Sequence, residues 1–270
     1  RGAVGGHVLA GGRLGAVGDQ RSALGGVFLG EQAFGRRVGD GGIGDAVGHR
    51  QLGSLDKSVQ GLGAVVAQVG DVDGGVAMLN SLLEENPEDE KILYQLGVIY
   101  GSQNQIDQAL VYMERVLEVN PQNAQALNYV GYTWAERGQR LDEAEQLIRQ
   151  AVRLSPRDGY IADSLGWVYY MQAQPLLADG ERAEGVALLE KAAEQLVLAI
   201  ELTGGDPVVF EHLGDVYWQM GRPGQALKRY EEALELRPQG AGQPELQEKI
   251  DRVREDAGRE SGTQAGSAPQ

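Results

Sequence analysis

Few side chains in this sequence could act together in catalysis or metal binding. The three histidines, His7, His49 and His212, lie far apart and do not have the spacing of a metal site. No nucleophile is grouped with a base, and the many carboxylates are of the kind that helix surfaces expose to solvent. We therefore predict neither an enzyme nor a metal site, and we interpret His212 as a solvated or groove-lining residue.

The nearest approach to a phosphate-binding loop is the segment Gly41–Gly48, GGIGDAVG. It lacks the G-x-G-x-x-G spacing, and also the strand before it and the helix after it that would build a phosphate cradle. The sequence therefore indicates no nucleotide, and we expect no other cofactor.

Composition narrows the classes of partner. The chain of 270 residues has a net charge of −15, which disfavours nucleic acid and anionic lipid as partners. It has no cysteine, so neither a disulfide nor a thiolate metal site is expected. No apolar run approaches the roughly 18 residues of a membrane span, and no signal peptide is recognisable.

A glycine recurs inside segments that otherwise predict helices. The segments are YQLGVIY, NYVGYTW, DSLGWVYY and EHLGDVYW, and their glycines are Gly97, Gly131, Gly166 and Gly214. A glycine within a helix costs about 1 kcal/mol relative to alanine. Its return at spacings of 34, 35 and 48 residues therefore indicates a repeated packing requirement. A period in this range is typical of a repeat array.

The same residue types follow the first and the last of these glycines at equal distances. They are Ala109, Met113, Val116 and Pro121 after Gly97, and Ala226, Tyr230, Ala233 and Pro238 after Gly214. This pattern resembles the tetratricopeptide repeat family, whose unit is a helix–turn–helix of 34 residues. The resemblance implies an all-α, right-handed superhelical array with repeats at 90–123, 124–158, 159–206 and 207–240.

The repeated glycine has a physical role in such an array. Facing a small residue on the second helix, it allows the two backbones to approach closely, and the added contacts offset the lost helix propensity. The expected pairs are Gly97–Ala109, Gly131–Ala144, Gly166–Ala192 and Gly214–Ala226.

The third repeat contains fourteen additional residues within Met171–Lys191. Shared between its two helices, they predict a hairpin that protrudes by about two turns on each side, with its tip near residues 178–181. A longer loop without a role is the alternative. After the fourth repeat, the apolar stripe of Leu246, Ile250 and Val253 predicts a capping helix over 241–257. Residues 258–270 have no apolar face and are expected to be disordered.

The chain before the repeats has a different composition. Residues 1–75 contain 22 of the 40 glycines, too many for a stable helix. Residues 1–75 fit three interpretations: a poorly ordered leader, which we place at residues 1–55, the product of a wrong reading frame or a misplaced start, or a small glycine-rich β element. Residues 56–89 predict a partial repeat, with a convincing second helix and a doubtful first one.

The family resemblance also implies where a ligand would bind. In this family the first helices line a concave groove, and four of their positions usually meet the ligand. Carried onto this chain, those positions give an aromatic and acidic groove: Tyr94, Asn128, Tyr132, Tyr160, Asp163, Trp167, Tyr170, Glu211, Asp215 and Trp218. Lys91, Val98 and Gln125 hold further groove positions. Because only Lys91 and Asn128 could clamp a peptide's terminal carboxylate, we expect an extended segment with Lys or Arg beside apolar residues instead.

Two hypotheses of function follow from the resemblance. In the first, the chain is a non-catalytic scaffold that binds a peptide or protein partner in this groove. In the second, it is the accessory domain of an envelope enzyme, a protease or transferase, whose catalytic part is missing from this sequence. The resemblance is to bacterial proteins, many of them periplasmic or associated with the outer membrane; the cytoplasm is the alternative location.

Overall fold

The computed structural model describes residues 72–237 and 243–265, and side chains in the second range only as far as residue 256. The described residues form helices joined by short turns, without any strand. The helices are α1 (Val72–Glu85), α2 (Glu90–Ser102), α3 (Ile106–Val119), α4 (Ala124–Glu136), α5 (Leu141–Leu154), α6 (Gly159–Ala178), α7 (Arg182–Thr203), α8 (Pro207–Gln219), α9 (Pro223–Leu236) and α10 (Gln243–Ala265). None of them has the length and apolar character needed to cross a membrane.

Helices α2 to α9 form four hairpins, which pair α2 with α3, α4 with α5, α6 with α7, and α8 with α9. Each hairpin packs on the next, α1 packs on α2, and α10 packs on α9. The two inner first helices, α4 and α6, also contact each other. Contacts between successive layers are typical of a helical solenoid, and the all-α array implied by the family resemblance is confirmed.

In the four described hairpins, each first helix begins after an aspartate or asparagine. Asp89, Asn123, Asp158 and Asp206 are the N-caps of α2, α4, α6 and α8, and their side chains accept hydrogen bonds from backbone N–H groups of the first turn. Such a cap satisfies groups that a helix start otherwise leaves unpaired. The second helices α3, α5, α7 and α9 have no side-chain cap and follow directly from tight turns.

The turn inside the first hairpin contains an asparagine in the left-handed conformation. The φ of Asn104 is 59°, close to 62° at Gly138 and 73° at Gly221, which occupy the same place in the second and fourth hairpins. Asparagine tolerates this region better than most residues with a side chain, but glycine enters it without a steric penalty.

The helix-crossing glycines lie where two helices approach most closely. A Cβ at Gly131 would stand 2.7 Å from Cγ1 of Ile148 and 3.0 Å from the carbonyl oxygen of Ala144. Gly166 has the same environment, formed by the alanine expected from the sequence and by a leucine one turn later. Any side chain at these two positions would push the hairpin apart.

In the first and fourth hairpins, the atoms nearest the glycine belong to the residue one helical turn after the expected alanine. A Cβ at Gly97 would meet Cε of Met113 at 2.8 Å, and Gly214 lies against the ring of Tyr230. Ala109 and Ala226 are fully buried. The long side chain one turn later reaches beneath the glycine and fills the space that the absent Cβ leaves.

The third hairpin protrudes, as the sequence predicts. Helices α6 and α7 have 20 and 22 residues, whereas the other first helices have 13 and the other second helices of the four hairpins have 14. The turn between them occupies residues 179–181. The extended part stays tightly paired, because a Cβ at Gly185 would lie 2.7 Å from Cγ of Leu177.

The ends of the array differ from the sequence prediction in one respect. Helix α10 continues to Ala265, so the tail predicted to be disordered from residue 258 is helical over most of its length. Its good helix formers outweigh two glycines, and the next proline is Pro269. At the other end, α1 is the predicted second helix of the partial repeat, with Leu79 and Leu83 buried. Residues 1–71, with the glycine-rich leader and the first helix of that repeat, lie outside the described residues.

Candidate functional site

The middle of the predicted groove is interior rather than open surface. Residues 126–133 of α4 and 161–169 of α6 are all buried. They include four predicted ligand-contacting residues, whose exposed fractions are at most 4%: Asn128, Tyr132, Asp163 and Trp167. Adjacent first helices pack so closely that their large side chains fill the inner face, and in this conformation a ligand would not reach them.

A buried ion pair joins the third and fourth hairpins. Nδ1 of His212 on α8 lies 2.8 Å from Oδ1 of Asp163 on α6, and neither side chain is more than 8% exposed. Burial alone would lower the pKa of His212, but Asp163 outweighs it, with smaller contributions from Asp215 and Glu211, and raises that pKa to about 9. His212 is therefore a buried imidazolium at neutral pH, and its interpretation as a solvated residue is wrong.

Trp167 stacks on two other rings. Its indole stacks on His212 at 4.3 Å between ring centroids and on Tyr170 at 4.7 Å. A protonated imidazole against an indole face is a cation–π contact, which strengthens when water is excluded. The indole N–H has no well-formed hydrogen bond to another described residue, although the Glu136 carboxylate is near enough to interact with it. Burial raises the pKa of Glu136, and His212 partly opposes that effect.

Three further predicted groove residues lie near the amino-terminal ends of the first helices. Tyr94 is half-buried, and burial together with Asp158 raises its pKa. The Tyr160 hydroxyl donates a hydrogen bond to Oδ2 of Asp206 at 3.3 Å. Gln125 is exposed and donates to Oδ2 of Asp158 at 2.9 Å. These bonds link the start of one first helix to the N-cap of the next.

Two predicted acidic residues of α8 hold a lysine of the chain itself. Nζ of Lys249, on α10, lies 2.8 Å from Oε1 of Glu211 and 2.8 Å from Oδ1 and Oδ2 of Asp215. It also stands 5.7 Å from the ring centroid of Tyr230, whose hydroxyl donates to Asp215 at 2.8 Å. Arg237 makes a second ion pair with Glu211. We call Glu211, Asp215 and Tyr230 the ammonium site.

Electrostatic interactions in the ammonium site favour the charged forms of Lys249 and Glu211. Burial lowers the pKa of Lys249, but Asp215 and Glu211 outweigh it and raise that pKa. Burial likewise raises the pKa of Glu211, and Lys249 with Arg237 more than reverses this. Burial is the main cause of the raised pKa of the Tyr230 hydroxyl, which stays protonated as a donor to Asp215.

Tyr170 and Trp218, the other two predicted aromatics, are half-buried. Tyr170 stacks on Trp167, and burial raises the pKa of its hydroxyl. Both belong to the part of the first-helix surface that keeps some exposure. On that surface, Lys91 is exposed and Val98 is half-buried.

Sequence reasoning missed two residues that organise this region. The periodicity of α8 places His212 on the same face as Val209 and Val216, both buried, so its burial was readable from the helix period. Lys249 directly precedes Ile250 and follows Leu246 by three residues, at the edge of the α10 apolar stripe. Its acidic partners lie 34 and 38 residues earlier, and no local pattern reveals them.

No group of three or more histidine and carboxylate side chains in the described residues is arranged to hold a metal ion. The charged side chains His212 and Asp163, and Lys249 with Glu211 and Asp215, are paired with one another across helices. Glu211 and Asp215 can bind an ammonium group, and Asp163 can keep the buried imidazole of His212 protonated.

Comparisons with known proteins agree with this geometry. A family model described as tetratricopeptide repeat matches residues 94–159, and a second model with the same description matches residues 207–239. These two segments are tetratricopeptide repeats. The TPR repeat-containing protein PA4667 of Pseudomonas aeruginosa is 49% identical over 51 residues, which are 19% of this chain and 8% of that protein. The match thus spans less than a tenth of the length of this curated relative.

Solved structures share the fold of the array. The thermophilic TPR protein TTC0263 of Thermus thermophilus is 23% identical, with 71% of this chain and 95% of that chain covered and a TM-score of 0.51. A MamA protein is 20% identical, with 66% and 88% covered and a TM-score of 0.51. At these identities the likeness concerns the tetratricopeptide fold alone.

Proposed function

We propose that this tetratricopeptide array is a non-catalytic scaffold that binds a protein segment carrying Lys or Arg beside apolar or aromatic residues. The observation that carries the proposal is the ammonium site, where two carboxylates and an aromatic ring surround Nζ of Lys249. Charge-assisted hydrogen bonds and cation–π contact are the interactions that recognise a basic side chain.

The half-buried aromatics beside this site supply the apolar part of the surface. Tyr170 and Trp218 lie on the first helices α6 and α8, and each keeps part of its ring exposed. Aromatic side chains of this kind offer a large contact area at a low entropic cost. The net charge of −15 favours encounter with basic segments and disfavours acidic ones.

A peptide-binding assay on the full chain tests the proposal. Labelled peptides with lysine or arginine beside aromatic residues are titrated against the chain and compared with acidic peptides of equal length. We expect the basic peptides to bind more tightly, and added salt to weaken them. Replacing both carboxylates, Glu211→Gln with Asp215→Asn, should reduce their affinity about tenfold, since a hydrogen bond to a charged group contributes about 1.5–3 kcal/mol.

The matched control changes the same number of charges elsewhere. Glu194→Gln with Glu201→Gln removes two exposed carboxylates of α7 and should leave the affinity nearly unchanged. Tighter binding of acidic peptides, or equal effects of the two double variants, would mean that the ammonium site does not recognise the partner.

A further inference from the structure

The last helix is attached to the array through one short stretch of its surface. The apolar side chains of Leu246, Ile250 and Val253 are at most 2% exposed. They belong to the same buried cluster as Ala226 and Tyr230 of α9. Most of the other described residues of α10 are exposed, among them Glu245, Glu248, Arg252 and Arg254, so the helix contacts the array on one side.

The polar contacts of α10 lie along the edges of that stripe. Lys249 enters the ammonium site, and Arg254 makes an ion pair of 2.7 Å with Glu231 of α9. The Arg254 pair is about half exposed on both sides, whereas Lys249 and Asp215 are only 23% and 12% exposed. An exposed pair contributes little, so the Lys249 contact fixes the position of α10 along the stripe.

The residues by which α10 contacts the array therefore indicate what kind of ligand this end of the array can bind. Its pattern is an apolar residue at Leu246, a lysine three positions later, and apolar residues four and seven positions later. These are the anchors of an amphipathic helix lying in a groove. Residues 161–169 of the internal helix α6 are all buried, whereas α10 is held on one side only, and so it can be exchanged more easily than an internal first helix.

We propose that α10 is an internal occupant of the partner site, and that the partner presents an amphipathic helix with the same arrangement of lysine and apolar residues. This inference rests on the proposed function; it makes the ligand a helix instead of the extended segment expected from the sequence, and it adds how binding is regulated. A partner helix must displace α10. The apparent affinity of the site for an external ligand therefore equals its intrinsic affinity multiplied by the fraction of time that α10 leaves the site open.

A labelled peptide of residues 243–254, with blocked ends, tests the exchange by fluorescence anisotropy on the full chain. The peptide contains three acidic and three basic residues, so its net charge does not favour binding. Ile250→Asp places a charge in the apolar stripe of α10 itself. It should tighten peptide binding roughly 10- to 100-fold, as expected if α10 occupies the site for 90–99% of the time. Val111→Asp, at a position 55% exposed on α3, is the matched control and should bind as the parent does.

A milder variant keeps the test valid if Ile250→Asp does not fold. Lys249→Met removes only the polar anchor of α10, and a cooperative unfolding transition shows that the array is intact. This variant should also bind the peptide more tightly than the parent. Adding Glu211→Gln and Asp215→Asn to Ile250→Asp should remove the gain, and a peptide with methionine in place of its lysine should bind weakly.

The outcomes separate the two proposals. Equal peptide affinity for parent, Ile250→Asp and Lys249→Met would overturn the displacement of α10, while basic peptides could still bind as proposed above. Peptide binding that ignores the Glu211 and Asp215 substitutions would overturn both proposals. A concentration-dependent dimer of the parent, seen by light scattering and lost in Lys249→Met, would identify a second copy of the chain as the occupant and would overturn the assignment to another protein.

Discussion

The buried pair of His212 and Asp163 predicts a loss of stability in mild alkali. Burial opposes the charge on His212, but Asp163 prevails and raises its pKa from 6.5 to about 9. Since the pKa in the folded state lies above the unfolded value, the protonated imidazole stabilises the fold. That contribution is complete below the pKa of His212 in the unfolded chain, and it is lost as the pH rises through the pKa of His212 in the folded protein. A difference of this size corresponds to roughly 3 kcal/mol between about pH 6 and about pH 10.

Urea unfolding followed by circular dichroism measures this loss. The free energy of unfolding is compared between the parent and His212→Gln at about pH 6, 8 and 10; glutamine keeps a polar contact with Asp163 but cannot be charged. Carboxylates also face the imidazole from α4 and α8, namely Glu136, Glu211 and Asp215. Subtracting the variant cancels titrations elsewhere in the chain, so a difference between parent and variant that stays constant with pH would refute the reasoning.

Four further substitutions test the packing, the turns and the caps by thermal or urea unfolding. Gly166→Ala should destabilise by about 1–3 kcal/mol, because the new Cβ would stand 2.7 Å from Cγ of Leu196. Gly224→Ala, with no atom within 4 Å of its new Cβ, should be neutral or stabilising by up to about 1 kcal/mol; equal losses at the two glycines would contradict the crossing geometry. Asn104→Gly should stabilise by up to about 1 kcal/mol by relieving a φ of 59°, and a clear loss would show that the asparagine side chain matters there. Asp158→Ala should cost about 1 kcal/mol by uncapping α6, and an unchanged free energy would mean that solvent caps the helix equally well.

The array was readable from the sequence because its packing requirement returns at the same place in every hairpin. Gly131 and Gly166 mark the closest approach of two helices, and the proline that follows each of three second helices marks where that helix has to end. The added turns of the third hairpin were readable for the same reason, since an insertion shared by two paired helices keeps them paired. These features depend on residues near one another in the chain.

The contents of the candidate site were less readable because they depend on how successive hairpins rotate against each other. The helix period gives the face on which Asp163 lies, but not that α8 brings His212 to within 2.8 Å of it from 49 residues away. It equally cannot show that Lys249 returns to Asp215. Several residues of the groove deduced position by position therefore face a neighbouring helix rather than solvent.

The long third hairpin has a consequence for the order in which the chain folds. Its helices of 20 and 22 residues are closed by a turn of three residues, so many contacts form for a small loop-closure entropy. Each shorter hairpin gains fewer contacts for a similar cost and depends more on a neighbour already in place. We infer that folding starts in the third hairpin and spreads to both sides. Pulling the chain from its two ends would open the outer hairpins first and this one last.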